Sequence, residues 1–201
     1  MRKSKAPTLL RVLTVLLVLA SFSEARAEAV TDRYDDTFRK YSKRFFGPGQ
    51  DWRVFKAQAM AESNLSMNAK SWVGARGLMQ LMPRTFAEIQ SKNPEFVSID
   101  DAEWNIAAGI YYDSKLWTQW ASQSLPGDRR SFMFGSYNAG RTTLLRAQEV
   151  ARTKNLNHTA WTSIRAIAPE VRNWRHGETL GYVEKIEKNI GRMDKEGRVY
   201  K

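Results

Sequence analysis

A single acidic residue, Glu62, closes an otherwise apolar or small-residue run containing Ala57, Ala59, Met60 and Ala61. Lys70 is the only charge in the following twelve residues, so no neighbour in sequence is set to pair with it. The run leads into Gly74-Ala75-Arg76-Gly77-Leu78-Met79-Gln80, a glycine-bracketed bend, and Pro83 then opens a new helix. A carboxyl group at the C-terminal end of an apolar helix, facing such a loop, is a candidate general acid. Burial disfavours its ionised form, and so does the negative end of the helix dipole, so both raise its pKa. Cleavage of a glycosidic bond needs a proton for the leaving oxygen, and a Glu of raised pKa can supply it. The alternative is a Glu on an exposed helix face, because unpaired Glu is seldom buried.

The elements that must hold this acid follow from apolar spacing. Tyr34, Phe38, Tyr41 and Phe45 form one face of a first helix, which Gly47-Pro48-Gly49 ends. Asp51 is a candidate cap for the next helix, which carries Trp52, Phe55 and Ala59 and runs to about Asn64. A helix follows Pro83; Asp100 with Glu103 resembles a capping box for a long helix over 102–121. Asp128 is a candidate cap for a helix through Phe132 and Phe134 that stops at Gly140. Further helices are predicted over 142–154, around Trp161 and Ile164 with Asn157 as cap, and over 178–190. Residues 169–177 read as irregular and the charged segment 191–201 as a mobile tail. No sustained alternation of period two and no internal repeat is present. The expected architecture is all-α, one domain of about seven or eight helices.

The 201 residues suffice for one domain with a core, and 7 Trp, 7 Tyr and 9 Phe argue against disorder. The absence of cysteine excludes disulfides, thiol catalysis and cysteine-ligated zinc. With only His158 and His176, and no HExxH spacing, no metal and no cofactor are expected. Arg2, Lys3, Lys5 and Arg11 precede a short apolar core at 12–20, and Ala25-Arg26-Ala27 fits a cleavage site. Residues 1–27 therefore read as a signal peptide, the alternative being a retained anchor; the core is short for a membrane span. Those residues carry five Lys/Arg and one Glu, so their removal lowers the formal charge from +11 to +7. A basic exported protein suits an anionic polymer such as cell wall. Nucleic acid is not expected, since no recognition motif is present.

Four blocks in fixed order carry a resemblance. Glu62-Ser63, followed by Ser71-x-x-Gly74-Ala75-x-Gly77-Leu78-Met79-Gln80-Leu81-Met82-Pro83-x-Thr85, resembles the lytic transglycosylases of the soluble (SLT, family 1) type. The segment Asn105-Ile106-Ala107-Ala108-Gly109 with Tyr111-Tyr112 is similar to that family's N-I-x-x-G-x-x-Y-L. Ser136-Tyr137-Asn138-Ala139-Gly140 resembles its A-Y-N-A-G, and Glu178-Thr179 with Tyr182-Val183 its E-T-x-x-Y-V. The resemblance spans residues 51–190; the run Arg175-His176-Gly177-Glu178 and the opening helix resemble the catalytic module of the membrane-bound F subtype. Departures are Met67 and Trp72 where proline is common, and Ser136 where alanine precedes the tyrosine. The division that follows is a leader over 1–27, an N-terminal helix and turn over 28–50, a lysozyme-like (goose-type/SLT) catalytic domain over 51–190, and the tail.

The resemblance implies a peptidoglycan lytic transglycosylase, periplasmic or secreted, acting on glycan strands. It makes Glu62 the lone acid/base between N-acetylmuramic acid and N-acetylglucosamine. It makes Tyr137 the tyrosine whose hydroxyl holds the catalytic carboxyl. Ser71, Gln80, Asn138 and Glu178 become substrate-binding or orienting residues, and Met79 an apolar floor for the sugar. From the residues alone, Trp72 fits a groove or the core equally well, and Tyr182 fits a structural role beside an apolar face better than a catalytic one. A hydrolytic muramidase of goose type is the rival, with Asp100, Asp101 or Glu178 as candidates for a second carboxylate. A third reading is a wall-binding partner of a secretion system without catalysis. A small enzyme of this kind could also open the wall for a secretion or conjugation apparatus.

Overall fold

The computed structural model describes residues 32–199, and within them the chain forms eight α-helices and one 3-10 turn. The expected leader, residues 1–27, lies outside the described residues. In chain order the helices are α1 (Asp35–Phe46), α2 (Arg53–Ser63), α3 (Pro83–Gln90), α4 (Ala102–Gln119), α5 (Arg129–Ala139), α6 (Arg141–Thr153), α7 (Trp161–Ile167) and α8 (His176–Ile190). The 3-10 turn, Ala168–Glu170, follows α7. No described helix is long and apolar enough to cross a membrane. Extended structure among the described residues is confined to isolated bridges.

Two helix pairs carry the frame: α2 lies on α8, and α1 lies on α4. Helix α5 packs against α4, α6 and α8, so it joins the two pairs. The apolar stripes explain the arrangement. Phe38 and Tyr41 of α1, Phe55 of α2, Ile106 and Ile110 of α4, Phe132 and Phe134 of α5 and Ile186 of α8 all meet in one buried cluster. Gly109 of α4 lets a neighbour approach closely: a Cβ there would fall 2.7 Å from the Met79 side chain.

Several capping bonds differ from expectation, and at Asp100, Glu103 and Asp128 a tertiary contact claims the expected group. Asp101, not Asp100, caps α4, accepting from the N–H groups of Glu103 and Trp104. Asp100 instead pairs with Arg76. The Glu103 carboxylate turns away from its own helix and accepts from Lys40 (2.6 Å) and Tyr41 (2.9 Å) of α1, so no capping box closes. Asp51 accepts from Arg53 N–H at the start of α2 as well as pairing with the Arg53 guanidinium, although Trp52 holds the cap position. Asp128 makes no cap bond to α5; its carboxylate accepts from Trp161 N–H at 2.8 Å and so pins the start of α7. Asn157 accepts from Thr159 and does not cap that helix.

The charged tail is not free. Met193 is buried, and Met193 and Val199 form a bridge. Gly197, at φ +88°, packs against the Trp52 indole, where a Cβ would clash at 2.2 Å. Its carbonyl accepts from the Lys56 ammonium at 2.8 Å. Lys56 is fully buried in α2 and pairs with Asp35 (2.7 Å) and Asp32 (3.2 Å). A buried ammonium needs such partners, since desolvation costs several kcal/mol per ion, about 3 or more. The tail therefore completes the solvation of a core lysine, a role its composition conceals.

Candidate active site

Helix α2 ends just after Glu62. Asn64 and Leu65 both adopt left-handed backbone, φ 53° and 60°, which turns the chain sharply away from the helix axis. Ser63 fixes that turn: its hydroxyl is 3.2 Å from the Ala59 carbonyl and 2.9 Å from the Leu78 carbonyl, and it accepts from Ser66 N–H. The helix end is thus tied to the loop at residue 78. The Lys185 ammonium of α8 donates to the Ala61 carbonyl at 2.6 Å, offsetting the negative end of α2.

The loop over 69–81 is held from both sides. Gly77 at φ +78° and Gln80 at φ +45° shape a tight turn, closed by Gln80 N–H to the Gly77 carbonyl. Asn105 of α4, fully buried, accepts from Met79 N–H (2.8 Å) and donates to the Arg76 (3.0 Å) and Ile99 (2.9 Å) carbonyls. A Cβ at residue 77 would fall 2.3 Å from the Asn105 amide, so glycine is required there by space as well as by φ. The Met79 carbonyl accepts from the Tyr137 hydroxyl of α5 at 2.8 Å.

Glu62 itself keeps a partly accessible side chain, while one carboxyl oxygen accepts from the Tyr182 hydroxyl of α8 at 2.6 Å. Burial pushes the Glu62 pKa up to about 7, against the Tyr182 hydrogen bond and the Lys185 charge, which both favour the carboxylate. An acid so placed is half-protonated near neutrality and can give or take a proton. The phenols around it are held protonated: burial and the nearby Glu62 raise both Tyr137 and Tyr182 well above the usual range. Tyr112 stands edge-to-face on Tyr137 at 5.4 Å.

The model of the family described as Transglycosylase SLT domain matches residues 38–159. The chain belongs to that family. Membrane-bound lytic murein transglycosylase F of Desulfosudis oleivorans is 32% identical over 149 residues, which are 69% of this chain and 32% of that protein. The protein of the same name from Shewanella pealeana is 29% identical over 150 residues, 75% of this chain and 29% of its own length. This SLT domain therefore spans about a third of the length of the curated relatives it matches. Among solved structures, the 70 kDa soluble lytic transglycosylase of Escherichia coli matches with TM-score 0.57 and 26% identity, over 76% of this chain and 22% of that one. The lytic transglycosylase Slt of Pseudomonas aeruginosa, solved as an inactive mutant, shares the fold with TM-score 0.59 and 24% identity, over 77% and 23%.

In this chain the two tyrosines exchange their expected places. Tyr182 holds the Glu62 carboxyl; Tyr137 holds the loop through the Met79 carbonyl. Spacing alone could not separate them, because both lie in motif blocks and only the packing of α5 and α8 decides which hydroxyl reaches α2. Met79 is 0% exposed and packs under Gly109, so its side chain cannot be a contact floor for a sugar. Ser71 closes its own turn, accepting from Ala75 N–H at 2.9 Å, and the Gln80 amide donates to the Ala69 and Gly77 carbonyls, so both shape the loop. Trp72 is 89% exposed, which excludes the core. Asn138 and Glu178 share a hollow of about 230 Å³ with Arg175, Trp174 and Thr179. There Asn138 accepts from Thr179 (2.8 Å), and Glu178 pairs with Arg175 (2.9 Å). Ser136, the departure from alanine, accepts from the buried Trp120 indole N–H at 2.9 Å, which satisfies a donor the core would otherwise strand.

Replacing Tyr182 by Phe separates the two tyrosines functionally. Loss of the donor to the carboxylate is expected to raise the Glu62 pKa further and lower wall-digestion rate about tenfold or more. Tyr137→Phe is expected to leave that titration in place and to lower thermal stability instead. Parallel rate–pH profiles and melting curves check both.

Two residues at this site are not singled out by the sequence patterns: Asp113 of α4 and Gln58 of α2, both fully buried. A signal exists for the first. In the N-I-x-x-G-x-x-Y-L pattern the position after the tyrosine is leucine, and here it is Asp113.

Proposed function

We propose that this chain is the catalytic unit of a peptidoglycan lytic transglycosylase, with Glu62 as its single acid and base. The observation that carries the proposal is one partly accessible carboxyl of pKa about 7, gripped by Tyr182 at the end of α2. Protonated Glu62 gives its proton to the oxygen bridging N-acetylmuramic acid and N-acetylglucosamine, and the bond from C1 to that oxygen breaks. The muramic acid N-acetyl group stabilises the cationic C1. The muramic acid 6-hydroxyl then bonds to C1 and returns its proton to the Glu62 carboxylate. No water is consumed, and the product carries a 1,6-anhydro end. Tyr182 stabilises the carboxylate between the two steps.

The placement of the other acids supports this over hydrolysis. An inverting hydrolase needs a second carboxylate roughly 6.5–9.5 Å away, free to activate a water. Asp100 is paired with Arg76, Asp101 caps α4, and Glu178 is paired with Arg175. Asp113, the carboxyl on which the Glu62 charge acts, is sealed in the core at 0% exposure. Peptidoglycan is the substrate in this reading, and an exported location follows from it.

Mass analysis of muropeptides released from purified wall tests the proposal across pH. Anhydro ends, one water lighter than reducing ends, are expected, and their yield falls as pH rises through about 7 because the first step needs protonated Glu62. Reducing ends alone would reject it in favour of hydrolysis.

A further inference from the structure

Beside Glu62 the core holds a second carboxyl that the reaction above does not use. One oxygen of Asp113 lies 3.4 Å from the Gln58 amide nitrogen; its other oxygen and the Gln58 amide oxygen are buried without partners. Gln58 sits one helical turn before Glu62, so the two side chains share a face of α2. The titratable groups around the pair come from every element packed there. They are Glu62 of α2, Tyr112 of α4 itself, Tyr137 of α5 and Tyr182 of α8, with Glu88 of α3 facing Tyr112. Lys185 of α8 acts on Glu62, whereas no cation among the described residues acts on Asp113.

A single amide contact at 3.4 Å is at the weak end of hydrogen bonding and does not offset the burial of a full charge. Burial holds the Asp113 carboxyl well above the usual carboxylate range. Glu62, with a phenol at 2.6 Å and a nearby ammonium, ionises more readily. Two leucines would fill this space without stranding polar atoms, so packing does not account for the pair.

We propose that Asp113 is a positioning residue that works as an un-ionised acid, clamping Gln58 and so the face of α2 that presents Glu62, and leaving the pocket with a single negative charge. The inference rests on Glu62 being the acid/base of the proposed reaction. Its consequence is that Glu62 can become a carboxylate between the two steps without a like charge beside it.

Carbon-13 NMR of labelled carboxyl groups reads the titration of Glu62 in wild type, Asp113→Asn, Asp113→Leu and the double variant Gln58→Leu/Asp113→Leu. Rates of wall digestion and melting temperatures are taken in parallel, with Glu62→Gln as the blank. Asp113→Asn has the shape of the neutral acid, so the Glu62 titration is expected to stay within about 0.3 pH unit of wild type. Asp113→Leu strands Gln58 and lowers the rate about tenfold, and the asparagine variant recovers most of that loss. The double variant restores the melting temperature but not the rate. A fall of one unit or more in the Glu62 pKa of Asp113→Asn shows that Asp113 carried charge and overturns the proposal. So does recovery of the rate in the double variant, which makes the pair a packing device. If wild type releases no anhydro ends, the proposed reaction fails instead; the carboxyl titration still decides the state of Asp113.

Discussion

Glu62→Gln is expected to lower the release of anhydromuropeptides about a thousandfold, because an amide cannot give the leaving oxygen a proton. Glutamine keeps the shape of the side chain, and its carbonyl can still accept from Tyr182, so the loss belongs to the proton and not to the fold. The same variant carries an opposite effect on stability. The folded pKa of Glu62, about 7, stands above the ordinary 4.5. The stability tied to its protonated form is fully present below pH 4.5 and is lost as pH rises through 7. At pH 8 the wild type must therefore hold a buried carboxylate, and the glutamine variant is more stable by up to about 3 kcal/mol, an upper bound because the side chain keeps an exposed edge. At pH 4 the two should melt together. Muropeptide yield and melting curves at both pH values check the pair of effects. A variant inactive and equally destabilised at both would assign Glu62 a structural role.

The second large effect is expected at Asn105→Ala. Three hydrogen bonds disappear at once, and Met79 N–H and the Ile99 carbonyl are left in the interior without those partners. The cost is about 3 kcal/mol or more, from stranded polar groups and the cavity left behind. A chain of this size should lose roughly 10 °C in melting temperature. Activity should fall further than stability predicts, because the loop over 69–81 loses one of the two groups that fix the Met79 peptide. Calorimetry with rate measurement well below the melting point separates the two losses. Asn105→Asp is a useful companion: it keeps the acceptor for Met79 N–H but sets a buried carboxyl oxygen against the Arg76 and Ile99 carbonyls, so a loss at least as large is expected at neutral pH.

Glu62 and Tyr182 show how a hydrogen-bonded pair is divided between sequence and fold. The placement of Glu62 was legible, as a lone carboxyl at the end of an apolar helix before a glycine-rich bend. Its partner was not, because the 120 residues between the two hold no local rule that selects Tyr182 over Tyr137. The same holds for Met79, whose block placed it at the site while the close approach allowed by Gly109 took its side chain under the surface. Helix existence was legible wherever aromatic and aliphatic spacing repeated, as in α1 and α8. The capping bonds were less so at Asp100 and Asp128, because a carboxylate can serve a neighbouring element as readily as its own.

The amino-acid sequence by itself determined the all-helical character and marked Glu62 as an isolated carboxyl at the end of an apolar helix, because helical periodicity and isolated charge are local properties. Tertiary structure alone decided which tyrosine grips Glu62, that Asp113 and Gln58 meet beneath it, and that the charged tail solvates Lys56. Those outcomes depend on which faces of distant helices meet, and burial changes the cost of a charge far more than any neighbour in sequence can.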